Sequence, residues 1–137
     1  MANTSEVIYL GGFRTEAVHL QSGDKIVTDA PKDNHGRGEA FSPTDLMATS
    51  LAACGLTTVD ILARKDGHEI DITGARAEVL KVMASGPRRV AEIHINVIFN
   101  KSYSEKEKEI VEHTFKNCPV AKSLHPDIKQ LVKFTYL

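Results

Sequence analysis

Two residues in this chain, Cys54 and Cys118, can carry nucleophilic chemistry without a cofactor. A thiol that sheds its proton attacks peroxides, disulfides and other electrophiles, and it sheds that proton where a cation, a hydrogen-bond donor or a positive helix end stabilises the anion. Lacking such a group, a cysteine on a buried helix face is a small packing residue. Both readings are open for Cys54, which the surrounding pattern places mid-helix on one face with Leu46, Ser50, Thr57 and Ile61. Cys118 directly precedes Pro119, where one helix stops and another can begin. There it is either an unreactive cap or a thiol facing a helix N-terminus, a position that favours its anion. The two sulfurs can meet only if the helices that carry them pack together on one sheet.

Competing chemistries leave weaker signals. The cysteines form no C-x-x-C pair, and His19, His35, His68, His94, His113 and His125 are scattered singly, so neither a metal nor an organic cofactor is expected. No G-x-S-x-G occurs, and Gly36-Arg37-Gly38 is too short for a phosphate-cradling loop. A formal net charge of -1 with dispersed lysines and arginines argues against nucleic acid as a partner. Asp60, Arg64 and Lys65 interrupt the most apolar segment, which argues against a membrane span. Met1 to Glu6 lack the basic start and apolar run of a secretory signal. The expectation is therefore a cytoplasmic protein, in a compartment where two cysteines are not presumed to be a structural staple.

The elements that must position these residues follow from pattern. A chain of 137 residues, 42% hydrophobic and 26% charged, fits one globular domain over 1–137. Val7 to Asp29, rich in Val, Ile, Tyr, Phe and Thr and punctuated by Gly11-Gly12 and Ser22-Gly23-Asp24, reads as an antiparallel meander. Ala30 to Ala40 is a loop, because turn residues and charges replace any apolar period. Ser42-Pro43-Thr44-Asp45 combines an N-cap, a first-turn proline and an acid three residues after the cap, so a helix starts there and runs to about Asp66, with Gly67 ending it. Leu46, Ser50, Ala53, Cys54, Thr57 and Ile61 predict its inner stripe, widened by Met47, Leu51, Val59 and Leu62, as in a central helix buried on most sides. Strands over Glu69 to Met83 and Arg88 to Phe99 form a hairpin about Ser85-Gly86-Pro87. Ser104 and Glu107 make a capping box for a second helix reaching Asn117, with Ile110, Val111, Thr114 and Phe115 inward. A short helical turn over Val120 to Leu124 and a strand from Ile128 to Tyr136 close the chain.

With these elements in order, Phe41-Ser-Pro-Thr-Asp-Leu46 leading to Ser50-Leu-Ala-Ala-Cys54, together with Asn117-Cys-Pro-Val120, resembles the OsmC/Ohr family of hydroperoxide-reducing proteins, its OsmC-like branch in particular. The resemblance implies an α+β, OsmC-like fold: antiparallel sheets, a central buried cysteine-bearing helix and a second helix, intertwined as a homodimer. By position, Cys54 corresponds to the family's peroxidatic cysteine and Cys118 to its resolving one. The family also uses an arginine and a glutamate to hold the thiolate and orient the peroxide. Arg37, just before the cysteine helix, matches the arginine of the OsmC-like branch, and Arg14 fits the arrangement of the other branch. At the glutamate position stands Thr44, which cannot pair ionically with arginine; Asp45 and Glu39 are the acids nearby.

The implied activity is thiol-dependent reduction of organic hydroperoxides, through a Cys54 sulfenic acid resolved by Cys118 to a disulfide. An external dithiol, a lipoylated protein or a small thiol, then acts as reductant. The alternatives are an OsmC-like protein that binds a small ligand or electrophile without efficient turnover, and an interaction protein whose cysteines merely pack.

Overall fold

The computed structural model describes residues 2–65 and 67–137; Asp66, the expected end of the first helix, lies outside them. The described chain divides into two compact units, 1–46 and 47–137. The first begins with a three-stranded antiparallel sheet of β1 (Ser5–Gly11), β2 (Arg14–His19) and β3 (Lys25–Asp29), in that order. This is the expected meander. Thr15 and Thr28 face each other across β2 and β3 and join through their hydroxyls. Ala30 to Ala40 is the expected loop, with a 3-10 turn at Lys32–Asn34. At Gly36 a Cβ would lie 1.7 Å from the Ala30 carbonyl oxygen, so the loop closes on itself only around a residue without one.

The helix α1 (Pro43–Lys65) starts as its sequence predicts: the Asp45 amide donates to Ser42 Oγ at 3.0 Å, and the Ser42 amide donates to Asp45 Oδ2 at 3.0 Å. Its inner face is only partly the predicted one: Leu51 and Val59 are buried as expected, whereas Met47 and Leu62 are exposed. Ala48, Leu51, Ala52, Gly55, Val59 and Ala63 are buried, while Ser50, Ala53, Thr57 and Ile61 are exposed and Leu46 and Cys54 are half-buried. Small residues select the packing face here, because they let the neighbouring helix come close. A Cβ on Gly55 would sit 2.5 Å from the ring of Phe115.

In the second unit α1 is followed by β4 (Arg76–Ala84), β5 (Arg89–Phe99), α2 (Glu105–Lys116), α3 (Pro119–Ser123) and β6 (Lys129–Tyr136). The sheet order is β4-β5-β6; β4 and β5 are antiparallel, as expected of the hairpin, and β6 lies parallel to β5. A parallel neighbour needs a crossover, which α2 and α3 supply. The strand expected from Glu69 starts only at Arg76, since the Asp71 carboxylate takes the Thr73 amide at 2.9 Å and the Ala75 amide bonds the Ile72 carbonyl, making a turn. Alternation along β5 puts Ile93, Ile95, Val97 and Phe99 on the face that forms the core with the small residues of α1 and with Val111 and Phe115 of α2. The Ser104–Glu107 capping box of α2 is present as predicted.

By length and composition α1 is long and apolar enough to cross a membrane, with a mean hydropathy of 1.6 over the relevant window, contrary to the expectation that its charges forbid this. Asp60, Arg64 and Lys65 cluster in its second half and leave the rest of the run apolar. A third of that window is buried against the chain's own elements.

Alanine in place of a helix-interior glycine ordinarily gains about 1 kcal/mol, whereas overpacking a core costs roughly 1–3 kcal/mol. Phe115 is 1% exposed and set edge-on against Phe134, so it has little room to yield. Gly55→Ala is therefore expected to lower stability by about 1 kcal/mol or more, read as a lower urea midpoint; a raised midpoint would contradict the close packing of α1 on α2.

Candidate functional site

Cys54 lies at the border of the buried face of α1, between the core and the exposed stripe. Cys118 is the N-cap of α3 and 0% exposed. Both are free thiols; Cys118 belongs to the buried core, Cys54 packs against that core, and each sulfur shifts the other's acidity. Thr58, one turn further along α1, places its Oγ1 3.7 Å from Cys54 Sγ.

The two sulfurs are not equivalent. Burial pushes the Cys54 thiol up, but hydrogen bonds from the Val120 amide, the Thr58 hydroxyl and the Cys118 thiol outweigh it, so Cys54 titrates below an ordinary cysteine. Burial also pushes the Cys118 thiol up; the Ala121 and Val120 amides oppose this, while the adjacent Cys54 sulfur adds to it, and the net shift is upward. The cap position thus does not make Cys118 the acidic thiol. Complete burial outweighs the amides of a short helix, and the proton that Cys118 keeps is the one it can share with the Cys54 anion.

The remaining residues singled out in the sequence belong to the first unit. Arg14 is not a loose cation: its Nε and Nη2 donate to the two carboxylate oxygens of Asp29 at 2.7 and 2.9 Å, and Glu39 Oε2 lies 3.9 Å from Nη2. Asp29, 1% exposed, also accepts the Glu39 amide at 3.1 Å. The hydrogen bond from Arg14, opposed by burial and helped by the Glu39 amide and by the charges of Arg14 and Arg37, holds the Asp29 carboxyl below the usual carboxylate range. Arg37 is exposed in the loop. Thr44 Oγ1 is 3.2 Å from Ser42 Oγ, and Asp45 serves the helix cap.

Sequence reasoning missed Asp29 and Thr58. For Asp29 the available signal was an acid ending a strand opposite Arg14 in register. For Thr58 it was a hydroxyl four residues after a cysteine in a helix, where side chains stack.

An α+β unit in which a long helix and a following cap bring two unlike thiols together defines a cysteine-centred protein of the OsmC type. The chain belongs to the OsmC-like protein family, whose defining pattern matches residues 36–131. Among solved structures, it is similar to a protein from Psychrobacter arcticus 273-4, provisionally named as an osmotic stress induced and detoxification response protein, at 57% identity over 98% of this chain and 96% of that one, with a TM-score of 0.92. It also shares its fold with an OsmC-like protein from Mycoplasma pneumoniae, at 23% identity over 100% and 99% of the chains and a TM-score of 0.76. A third is the organic hydroperoxide resistance protein OsmC from Legionella pneumophila, at 14% identity over 98% of each chain and a TM-score of 0.75. No curated protein matches the chain.

Two outcomes follow. Limiting iodoacetamide at neutral pH is expected to label Cys54 in preference to Cys118 by about tenfold or more, since thiolate fraction and access both favour it; equal labelling by peptide mass spectrometry would contradict the assigned asymmetry. Because the folded Asp29 carboxyl sits below its unfolded value, its contribution is fully present above the ordinary carboxylate range and is lost as pH falls through the folded value. Acid unfolding of Asp29→Asn should therefore lack that part of the pH dependence that wild type shows.

Proposed function

We propose that this protein is a thiol peroxidase acting on organic hydroperoxides, in a stress-related redox role. The observation that carries this is the pairing, at the edge of one core, of a half-buried sulfur held below the ordinary thiol range with a fully buried sulfur held above it. The Cys54 thiolate attacks the terminal oxygen of the hydroperoxide, an S–O bond forms as the O–O bond breaks, and the departing alkoxide takes a proton to leave as alcohol. Cys118 then attacks the Cys54 sulfenic acid; the S–S bond forms, and hydroxide leaves as water with the proton from Cys118. An external dithiol, a lipoylated protein or a small thiol, supplies the two electrons that restore both thiols. The name of the Legionella protein, an organic hydroperoxide resistance protein, supports the substrate class.

The cation expected near such a thiolate is assigned to Arg37, because Arg14 already has Nε and Nη2 committed to Asp29. Glu39, beside Arg14, is the acid assigned in place of the family glutamate. A homodimer is the proposed state. Its support is apolar surface left bare on α1 and β1, including Ile61 at 57% and Tyr9 at 64% exposure. On α1 this surface adjoins Cys54, where a second copy would shield the thiolate from water. A second reading, ligand or electrophile binding without efficient turnover, is favoured by Thr44, whose hydroxyl bonds to Ser42 and offers no carboxylate.

Stoichiometric tert-butyl hydroperoxide should remove both thiols of wild type and leave a disulfide between Cys54 and Cys118. In Cys118→Ser one equivalent should stop at a Cys54 sulfenic acid and a second should carry it on to a sulfinic acid, and in Cys54→Ser the thiol of Cys118 should persist. If folded wild type keeps both thiols, peroxidase activity is excluded and the binding reading takes its place.

A further inference from the structure

The groups that favour the Cys54 anion are the Val120 amide and the Cys118 thiol, both from the start of α3, and the Thr58 hydroxyl from α1 itself. None of these partners carries a charge. They differ in what becomes of them during the proposed reaction. Cys118 loses its hydrogen when it forms the disulfide, and the Val120 amide is tied to the segment that carries Cys118. Thr58 is on the same helix as Cys54, one turn on, and no step of the reaction alters it.

We infer that Thr58 is a positioning residue for Cys54: its Oγ1, 3.7 Å from the sulfur across one turn of α1, holds that sulfur in place and donates to its anion. The inference rests on Cys54 being the ionised nucleophile. Three features suit Thr58 to this role. Residues four apart on a helix lie one above the other, so the contact needs no tertiary arrangement beyond α1. A β-branched side chain has few rotamers in a helix, which keeps the hydroxyl aimed rather than searching. Half-buried, it competes with less bulk water than an exposed hydroxyl does. A helical threonine otherwise gives its proton to the carbonyl one turn back, which here is that of Cys54 itself. The hydroxyl thus has a resting acceptor on the same residue when the sulfur is oxidised. Thr57, its neighbour, has the same side chain but is exposed.

The test is the pH profile of Cys54 alkylation by iodoacetamide in the full-length protein, read by peptide mass spectrometry for wild type, Thr58→Val, Thr58→Ser and Thr57→Val. A hydrogen bond to a charged group changes a thiol's acidity by roughly tenfold to a hundredfold, and the stronger nucleophilicity of the less acidic thiolate offsets about half of this on a logarithmic scale, so the neutral-pH rate is expected to change by roughly threefold to tenfold. Thr58→Val should lose that factor at pH 7 and shift the profile to higher pH, while its alkaline plateau reaches or exceeds that of wild type, since the less acidic thiolate is the stronger nucleophile. Thr58→Ser, which keeps the hydroxyl, should lie close to wild type. The inference is overturned if Thr58→Val keeps the wild-type profile, if its alkaline plateau falls by the same factor as its neutral rate, if Thr58→Ser is as slow as Thr58→Val, or if Thr57→Val shifts the profile equally. Because alkylation needs no peroxide, the result stands apart from the thiol count after hydroperoxide: a shifted profile with no peroxide-dependent thiol loss would uphold Thr58 and defeat only the peroxidase reading.

Discussion

Everything at the candidate site depends on how closely α1 is drawn onto the core. Ala48, Ala52 and Gly55 give α1 a face with almost no side-chain depth, and the ring of Phe115 fills the space that a Cβ on Gly55 would need. That face fixes the rotation of the helix about its axis. With it turned inward, Cys54 comes to rest at the boundary, one side toward Cys118 and the other toward the exposed stripe of Ala53, Thr57 and Ile61. Rotation by one residue, about 100°, would either sink the thiol among hydrocarbon or lift it off its partner. Packing of small residues is in this sense the source of the electrostatics, because it decides which donors the sulfur meets.

The sequence made the elements legible wherever the signal was local. Ser42 with Asp45 and Ser104 with Glu107 announced two helix starts that the structure shows with both reciprocal hydrogen bonds. Gly11-Gly12 and Ser22-Gly23-Asp24 announced the turns of the meander. Signals that depend on tertiary packing misled. The apolar period of α1 pointed to Leu46, Ser50, Ala53, Cys54, Thr57 and Ile61, widened by Met47, Leu51, Val59 and Leu62; Leu51 and Val59 are buried, but hydrophobicity does not register that Ala48, Ala52, Gly55 and Ala63 pack inward against a close neighbour. The bare apolar stripe is the surface on which a second copy is proposed to pack. The segment from Glu69 failed as a strand for a different reason: Asp71 satisfies backbone amides locally, and a carboxylate that does this competes with a ladder.

At the first unit's charged cluster, sequence could name Arg14, Arg37 and Glu39 but not sort them. Sorting needed the partner, and the partner is Asp29, an acid at a strand end. Once two donors of a planar guanidinium are spent on a buried carboxylate, breaking that pair would strand the carboxylate. Arg14 is therefore best understood as a member of the scaffold that shapes the 30–40 loop, with Asp29 tying the strand β3 to the backbone at Glu39. Arg37, exposed in the loop, is the arginine that the proposed mechanism assigns to the thiolate.

The kind of stabilisation found at Cys54 also matters for reactivity. Lowering a thiol's pKa raises the fraction present as thiolate but weakens each thiolate as a nucleophile, with a Brønsted dependence of about 0.4–0.5. The optimum is reached when the thiol is about half ionised at working pH, and deeper stabilisation brings no further rate. At Cys54 burial opposes an amide, a hydroxyl and a neighbouring thiol, and these neutral donors lower its pKa without a full charge set on the sulfur. A buried fixed cation pressed on the sulfur would over-stabilise it and leave it ionised but sluggish. On the proposed mechanism, neutral donors set the resting acidity of Cys54, and a mobile arginine is needed only when negative charge develops on the leaving oxygen. On that proposal the donors belong to α1 and α3, and the cation, Arg37, belongs to the loop.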